Sequence, residues 1–170
     1  MFVGRECELN KLNTLYRSDQ FEFAVFYGRR RVGKTTLIKE FIKDKKAHYY
    51  MAIEGTATEN LAGLSASLIS ADSRISFGSF EELFQYIDRT CTAERQILVI
   101  DEYPYLAASY PTISSLIQRH IDNCWLNSKL FLILCGSSMS FMENQVLGYK
   151  SPLYGRRTAQ FKLHPFTFFK

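Results

Sequence analysis

One segment of the chain combines two glycines, a lysine and a threonine at a spacing that suits phosphate binding. Gly28–Thr35 has the sequence GRRRVGKT and fits the pattern G-x-x-x-x-G-K-[ST]. The glycines at positions 28 and 33 let the backbone turn tightly and approach phosphate oxygens. Lys34 supplies a mobile positive charge for β- and γ-phosphates, and the Thr35 hydroxyl suits a magnesium ion. The pattern predicts binding of a nucleoside triphosphate.

The segments on either side of this phosphate loop predict a strand before it and a helix after it. Phe23–Tyr27 is apolar throughout, as in a strand buried on both faces of a parallel sheet. Apolar residues recur at helical spacing from Leu37 to Ile42. A helix starting at the loop directs free N–H groups and the positive end of its dipole at an anion. A Gly-rich turn without function is the alternative, and this context disfavours it.

A second candidate pair, Asp101 and Glu102, ends the apolar run Ile97–Ile100. Ligands of open α/β sheets bind at the carboxyl ends of the strands. An aspartate there can hold Mg²⁺, usually through water, and an adjacent glutamate can polarise a water for in-line attack on a γ-phosphate. Such a pair on its own could simply cap a strand or face solvent. Together with the phosphate loop, it favours hydrolysis.

Two further groups are candidates with an open alternative. Ser137 and Ser138 follow the apolar run Leu130–Leu134, and a hydroxyl there could face the γ-phosphate or the attacking water, or only form a turn. Arg156 and Arg157 precede the last predicted strand. Their guanidinium groups could reach charge on the transferred phosphoryl group, in the same or an adjacent subunit, or form a solvated surface pair.

Strand-like and helix-like segments alternate along the chain, which predicts an α/β fold: a three-layer sandwich with a mostly parallel five-stranded sheet. The predicted strands are Phe23–Tyr27, His48–Ile53, Ile97–Ile100, Leu130–Leu134 and Gln160–Leu163, the last with the alternating polarity of an edge strand. Helices are predicted from near Arg5, after the phosphate loop, after the capping-box patterns Thr56/Glu59 and Ser79/Glu82, and near Ile113–Cys124. The Ser/Asp-rich stretch 70–79 predicts a loop.

Composition limits the other possibilities. With 170 residues, 46% of them hydrophobic, the chain can form one domain with a substantial core. The 21 basic and 17 acidic residues give a net charge of +4, too small to indicate nucleic-acid binding without a concentrated patch. Four widely spaced cysteines without a metal-ligand pattern favour a reducing, cytoplasmic location. We expect no membrane contact, because no apolar run approaches the roughly twenty residues of a membrane span, and no signal segment precedes Gly4.

Taken together, these motifs resemble the P-loop ATPases of the AAA+ and STAND kind, and most closely the family of predicted ATPases found predominantly in archaea. The resemblance covers nearly the whole chain. Its first segment is the opening Phe2–Leu9, which is similar to a family F-x-G-R-x-x-E-L motif near the adenine base. The other segments are Walker A at Gly28–Thr35, Walker B with its adjacent glutamate at Ile97–Glu102, a sensor-1 position at Gly136–Ser138 and an arginine-finger position at Gly155–Arg157.

The resemblance implies an ATPase that uses ATP, in preference to GTP, together with Mg²⁺. The nucleotide-binding residues that it implies are Phe2, Val3, Gly4, Arg5, Gly28, Arg29, Arg30, Arg31, Val32, Gly33, Lys34, Thr35 and Thr36. Thr35 and Asp101 are the implied metal ligands. The implied catalytic residues are Glu102, Lys34, Ser137, Arg156 and Arg157. Relatives usually continue into a helical lid and a winged-helix or nuclease-like region. The aromatic end Phe166–Lys170 likewise predicts a further domain after the ATPase core at 1–170.

Three functions stay open. The first is an ATPase that couples hydrolysis to conformational change in a further domain, a partner protein or a homo-oligomer. The second is a nucleotide-gated regulatory switch with slow turnover. The third is a P-loop kinase acting on a small molecule, which the glutamate next to Asp101 disfavours. No helix-turn-helix or zinc pattern indicates DNA binding by these residues, although a C-terminal region could bind nucleic acid.

Overall fold

The computed structural model of the chain describes residues 4–69 and 76–166. The strands are β1 (Glu22–Tyr27), β2 (Ala47–Met51), β3 (Gln96–Asp101), β4 (Leu130–Gly136) and β5 (Ala159–Lys162). The helices are α1 (Glu6–Arg17), α2 (Lys34–Ile42), α3 (Ala57–Leu68), α4 (Phe80–Thr90), α5 (Tyr103–Ser109), α6 (Ile113–Asn123) and the short α7 (Met139–Phe141), which continues as a π-helical turn over Met142–Val146. Most of the predicted loop at 70–79 lies outside the described residues.

The five strands form one sheet in the order β2-β3-β4-β1-β5, and every neighbouring pair is parallel. The central strands β3, β4 and β1 are buried along their whole length, as their continuous apolar runs predict. At the edge, β5 buries Ala159 and Phe161 and leaves Gln160 and Lys162 exposed. The edge position predicted from its alternating polarity is therefore confirmed.

Helices cover both faces of the sheet, which makes the predicted three-layer α/β sandwich. On one face, α1 and α2 bury Leu12, Leu37 and Phe41 against the sheet residues Phe26 and Phe161. The helices α3 to α6 build a second core on the opposite face. The side chains there include the fully buried Trp125, Phe84 and Leu64. Each such side chain contributes about 1.5–3 kcal/mol to folding by leaving water, so the sheet is held rigidly from both sides.

The strand order decides which loops meet. Both β1 and β3 pair with β4, with Tyr27 opposite Gly136 and Ile100 opposite Leu134. Because the strands are parallel, their carboxyl ends lie at one edge of the sheet. The segment after β1, the end of β3 and the segment after β4 therefore converge at this edge.

Some elements differ from the prediction. The helix α5 was not predicted: it has seven residues, it carries a proline in its first turn, and no side chain of the described residues caps it, so it lacks the usual sequence signals. The strand β2 ends at Met51 and does not reach Ile53. The helix α3 has the complete predicted capping box. At α4 the predicted box is incomplete, because the Glu82 carboxylate accepts from Gly78 N–H, one residue before the cap.

None of the helices in the described part of the chain combines the length and the apolar character that a bilayer crossing needs.

Candidate active site

The phosphate loop joins β1 to α2 through an unusual backbone path. Arg31 has φ 67° and Gly33 has φ 95°, both in the left-handed region. Gly33 precedes the first residue of α2, and no side-chain hydrogen bond from the described residues caps this helix. The first amides of α2 and the positive end of its dipole are thus available to an anion. This is the geometry of a phosphate site at a helix N-terminus.

Gly28 allows the loop to pass close to the end of β5. A Cβ atom at this position would lie 2.4 Å from the carbonyl oxygen of Leu163. That oxygen belongs to the backbone of a segment whose position is set by a hydrogen bond from Leu163 N–H to the Tyr27 carbonyl, 2.8 Å long. A side chain at position 28 therefore requires movement of the backbone, not only of a flexible side chain.

We expect the substitution Gly28→Ala to lower the free energy of unfolding by about 1–3 kcal/mol, the usual cost of forcing an extra methyl group into a packed site. Gly78→Ala is the matched control, since its Cβ would make only contacts of 3.4 Å or longer with the Glu82 side chain. Thermal and urea unfolding of both variants would measure the difference. Equal stability of the two variants would contradict the inferred backbone contact.

Lys34 is buried beneath the loop, with 5% of its surface exposed. Its ammonium group donates to the carbonyl oxygens of Gly28 and Arg29, each at 2.7 Å. A lysine has three N–H donors, so a further N–H can be directed at a phosphate oxygen. The loop backbone thereby holds a positive charge next to the amides that would bind the phosphates.

Asp101 lies across from Thr35 and receives three hydrogen bonds. The Thr35 hydroxyl donates to its Oδ2 at 2.7 Å, the Tyr49 hydroxyl donates to the same oxygen at 2.5 Å, and the Glu102 N–H donates to Oδ1 at 2.8 Å. Burial, strengthened by the hydrogen bond to Asp101, raises the pKa of the Tyr49 phenol. Tyr49 thus stays a donor, and the carboxylate has a defined orientation.

Thr35 and Asp101 fit a magnesium ion. Both offer oxygen atoms, and Mg²⁺ in nucleotide sites is held by one or two protein oxygens together with phosphate oxygens and water. No set of three or more His, Cys, Asp or Glu side chains is arranged for a metal within residues 4–69 and 76–166. This arrangement agrees with a magnesium site that has two protein ligands and is completed by the nucleotide. Burial and the nearby Asp101 charge raise the pKa of the Cys135 thiol.

Glu102 adopts a strained backbone conformation directly after Asp101. Its φ of 51° lies in the left-handed region, which costs an ordinary residue about 1–2 kcal/mol. The next residue, Tyr103, is fully buried, and its hydroxyl is 2.5 Å from Ser114 Oγ on α6. Ser137 Oγ donates to Glu102 Oε1 at 2.7 Å. The buried Tyr103 thus fixes the backbone next to Glu102, and Ser137, which follows β4, orients the Glu102 carboxylate.

These groups surround a cavity of about 190 Å³. The residues that line it are Arg30, Arg31, Gly33, Lys34, Thr35, Thr36, Glu102 and Ser137. All eight belong to the predicted nucleotide-binding or catalytic residues, and the structure brings them together with Asp101.

Arg5 lies apart from this cavity and links three segments. Its guanidinium donates to the Val32 carbonyl at 3.0 Å and to the His164 carbonyl at 2.5 Å, and it stacks 4.4 Å from the Phe166 ring centroid. The opening segment thereby contacts the phosphate loop and the segment after β5. Of the other predicted adenine contacts, Gly4 lies beside Arg5, and Phe2 and Val3 lie outside the described residues.

Arg156 and Arg157 are not brought to the cavity of their own chain. They precede β5 at the amino ends of the strands, where Thr158 N–H donates to the Phe23 carbonyl at the start of β1. Arg156 forms a two-fold hydrogen bond with Asp122 at 3.0 and 2.8 Å, and this contact lowers the pKa of the Asp122 carboxyl. Arg157 is exposed. These positions do not support a role for either arginine in the active site of the same subunit, because the phosphate loop lies at the opposite, carboxyl ends of the strands.

Two residues of the site were missed in the sequence. The sequence pattern identifies Tyr49 only as a strand residue, whereas its hydroxyl contacts Asp101. Tyr105 on the unpredicted α5 receives a hydrogen bond from Arg30 at 2.8 Å. A tyrosine within a strand or a short helix belongs to no sequence motif. Only the register of β2 against β3 and the position of α5 could therefore identify these two tyrosines as residues of the site.

The parallel sheet, the phosphate loop at the start of α2 and the carboxylates at the end of β3 define a P-loop nucleotide-binding domain. A family model described as an ATPase domain predominantly from Archaea matches residues 2–170. The chain belongs to this family of archaeal-type ATPase domains.

Several known proteins are similar to this chain in sequence or in fold. An uncharacterized protein of Methanocaldococcus jannaschii is 40% identical over 170 residues, which cover 99% of this chain and 37% of that protein. A Walker-type ATPase of Pyrococcus abyssi has a TM-score of 0.63 at 22% identity over 97% of this chain and 54% of its own. Drosophila ORC bound to DNA has a TM-score of 0.74 at 18% identity over 95% of this chain and 43% of its own. The chain therefore spans between about a third and about half of the length of these proteins.

Proposed function

We propose that this domain hydrolyses ATP in the presence of Mg²⁺. The observation that carries the proposal is the 2.7 Å contact between Thr35 Oγ1 and Asp101 Oδ2, with Glu102 lining the same cavity. It combines a phosphate loop, a pair of oxygen ligands for the ion and a carboxylate for a water molecule in one place. Membership of an ATPase-domain family supports ATP as the nucleotide.

Each group of side chains in the site has a separate role in hydrolysis. The amides at the start of α2 and Lys34 hold the phosphates and balance their charge. Thr35 and Asp101 would hold Mg²⁺, and the bound ion would neutralise charge on the phosphates. Glu102 accepts a proton from a water molecule, or orients it, for in-line attack on the γ-phosphorus atom. Tyr49 and Ser137 orient the two carboxylates.

The consequence of hydrolysis in this proposal is a change of contact with another part of the protein or with a partner. The relative from Methanocaldococcus is longer than this chain, which supports a further domain as the responding element. The exposed Arg157 and the adjacent Arg156 at the opposite sheet edge suit a contact to the nucleotide of a neighbouring copy in a homo-oligomer. Nucleic acid is a candidate partner, because the similar Drosophila ORC structure contains DNA.

A nucleotide-gated switch with slow turnover is the second candidate. The hydrogen bond from Ser137 to Glu102 Oε1 agrees with it, because this bond uses one of the acceptor positions of the carboxylate and its rearrangement before attack by water would slow hydrolysis. Single-turnover kinetics combined with mass measurements in ATP and in ADP would separate the two functions. A switch requires slow turnover and a mass that depends on the nucleotide.

The metal site can be tested with two variants of Thr35. We expect Thr35→Val to raise the Mg²⁺ concentration needed for half-maximal phosphate release by about tenfold or more, since a direct oxygen contact to an ion is worth more than about 1.4 kcal/mol. Thr35→Ser keeps the hydroxyl and should remain within about threefold of the unmodified protein. A magnesium requirement equal in both variants, or phosphate release that is insensitive to EDTA, would contradict the proposed site.

A further inference from the structure

Arg30 extends from the phosphate loop to α5. Its Nη2 donates to the Tyr105 hydroxyl on α5 at 2.8 Å, although the two residues are 75 positions apart. Arg30 also lines the cavity with Lys34, Glu102 and Ser137. This loop arginine therefore borders the space that the phosphates would enter, and its tip is held by α5.

Tyr105 connects the tip of Arg30 to the helix that follows Glu102. The helix α5 begins immediately after Glu102, and Tyr105 N–H donates to the Glu102 carbonyl at 3.0 Å. The α2 amides and Lys34 mark the inner part of the site, where the β-phosphate would lie. The next phosphate outward, the γ-phosphate, would then lie between these amides and the side that carries Glu102 and Arg30.

The neighbouring arginines are placed differently. Arg29 does not line the cavity, and its carbonyl accepts from Lys34. Arg31 lines the cavity, but its backbone is left-handed with φ 67°. Arg30 differs from both because it lines the cavity and also has the end of its side chain held by the Tyr105 hydroxyl on α5.

We propose that Arg30 is a γ-phosphate-binding catalytic residue supplied by the same chain, and that Tyr105 is a positioning residue for its guanidinium. This inference rests on the proposed ATPase function and names a further residue of the same site. An arginine next to a phosphoryl group forms short, charge-assisted hydrogen bonds to its oxygens. Such a group stabilises the negative charge that these oxygens carry during transfer.

The reaction that Arg30 would assist is the ordinary hydrolysis of ATP. The water oxygen forms a bond to the γ-phosphorus, and its proton passes toward Glu102. The bond from that phosphorus to the bridging oxygen breaks, so ADP leaves with the electron pair and inorganic phosphate remains. Arg30 donates hydrogen bonds throughout and is neither consumed nor altered.

The Tyr105 hydroxyl accepts from one of the five N–H groups of the Arg30 guanidinium. The other N–H groups can donate to oxygens of the γ-phosphate while this hydrogen bond holds the tip of the side chain. ADP lacks the γ-phosphate and therefore gains less from Arg30 than ATP does.

The test measures binding of ATP and of ADP by calorimetry with Mg²⁺, in a Glu102→Gln background that keeps ATP intact. We expect Arg30→Met to weaken ATP binding by about tenfold and to change ADP binding by less than about twofold, as expected for the loss of one charge-assisted contact to the γ-phosphate. Arg89→Met, on the exposed face of α4, removes the same charge away from the site and should leave the ATP-to-ADP affinity ratio unchanged.

Two further variants keep the proposal testable if Arg30→Met is poorly folded. Arg30→Lys retains the charge but not the planar fork, and Tyr105→Phe removes only the hydroxyl. Both should lower the ATP-to-ADP affinity ratio by about two- to fivefold, with unfolding temperatures near that of the parent. An unchanged ratio in these variants, or an equal loss for ATP and ADP, would overturn the role of Arg30. Absence of binding by both nucleotides in the parent protein would overturn the proposed function, and this inference with it.

Discussion

Replacement of Glu102 by Gln is expected to lower the rate of ATP hydrolysis by about 10²–10⁴-fold, the usual contribution of a positioned general base. The amide is of similar size and can still accept the hydrogen bond from Ser137, but it cannot take a proton from water. ATP binding should stay within about threefold of the unmodified value, because the phosphate loop, Thr35 and Asp101 are unchanged.

The measurement is phosphate release under single-turnover conditions together with calorimetric titration of ATP. Glu94→Gln is the control, since Glu94 is exposed and pairs with Lys46 outside the cavity. If the Glu102 variant hydrolysed ATP at the parent rate, another group would activate the water and the assignment would be wrong. Loss of both binding and hydrolysis would show instead that Glu102 supports the fold of the site, through its left-handed backbone at the start of α5.

Replacement of Lys34 by Met is expected to reduce ATP affinity by about 100-fold, since one charged hydrogen bond to a phosphate oxygen contributes up to about 3 kcal/mol. Lys34 is 5% exposed, and its ammonium group is already directed at the loop by the Gly28 and Arg29 carbonyls. Methionine fills a similar volume but donates no hydrogen bond. ADP affinity should fall as well, because the lysine also faces the β-phosphate.

Lys43→Met is the matched control, as Lys43 follows the last residue of the same helix α2 and pairs with Glu40 at the surface. Calorimetry of ATP and ADP with both variants would test the expectation, with circular dichroism to check that each variant folds. If Lys34→Met bound ATP as tightly as Lys43→Met, the phosphate site would have to be elsewhere in the molecule.

The fold was predictable because its signals are local. Continuous apolar runs mark β1, β3 and β4 as buried strands, and the Thr56/Glu59 pair marks the start of α3. The helix α5 has seven residues and a proline in its first turn, so neither its periodicity nor its start gives a usable signal. The order of the strands also has no local signal, since it depends on which helix packs on which face of the sheet.

The candidate site was predictable to the extent that its chemistry is contained in short motifs. The phosphate loop carries its own backbone path and charge, and the Asp-Glu pair is recognisable from its position after an apolar strand. The contacts from Tyr49 to Asp101 and from Arg30 to Tyr105 join distant parts of the chain. Each depends on how two elements pack, so the identity of either residue alone does not indicate it.

By itself, the sequence determined that the chain forms a parallel α/β domain with a phosphate-binding loop and a following pair of carboxylates. Hydrophobic periodicity and glycine spacing act over a few residues and need no knowledge of the rest of the chain. Only the tertiary structure decided that Ser137 orients Glu102 and that Arg30 reaches α5. It also decided that Arg156 pairs with Asp122 at the end of the sheet opposite the phosphate loop. The physical reason is the strand order, because placing β4 between β1 and β3 selects which distant side chains come within hydrogen-bonding distance.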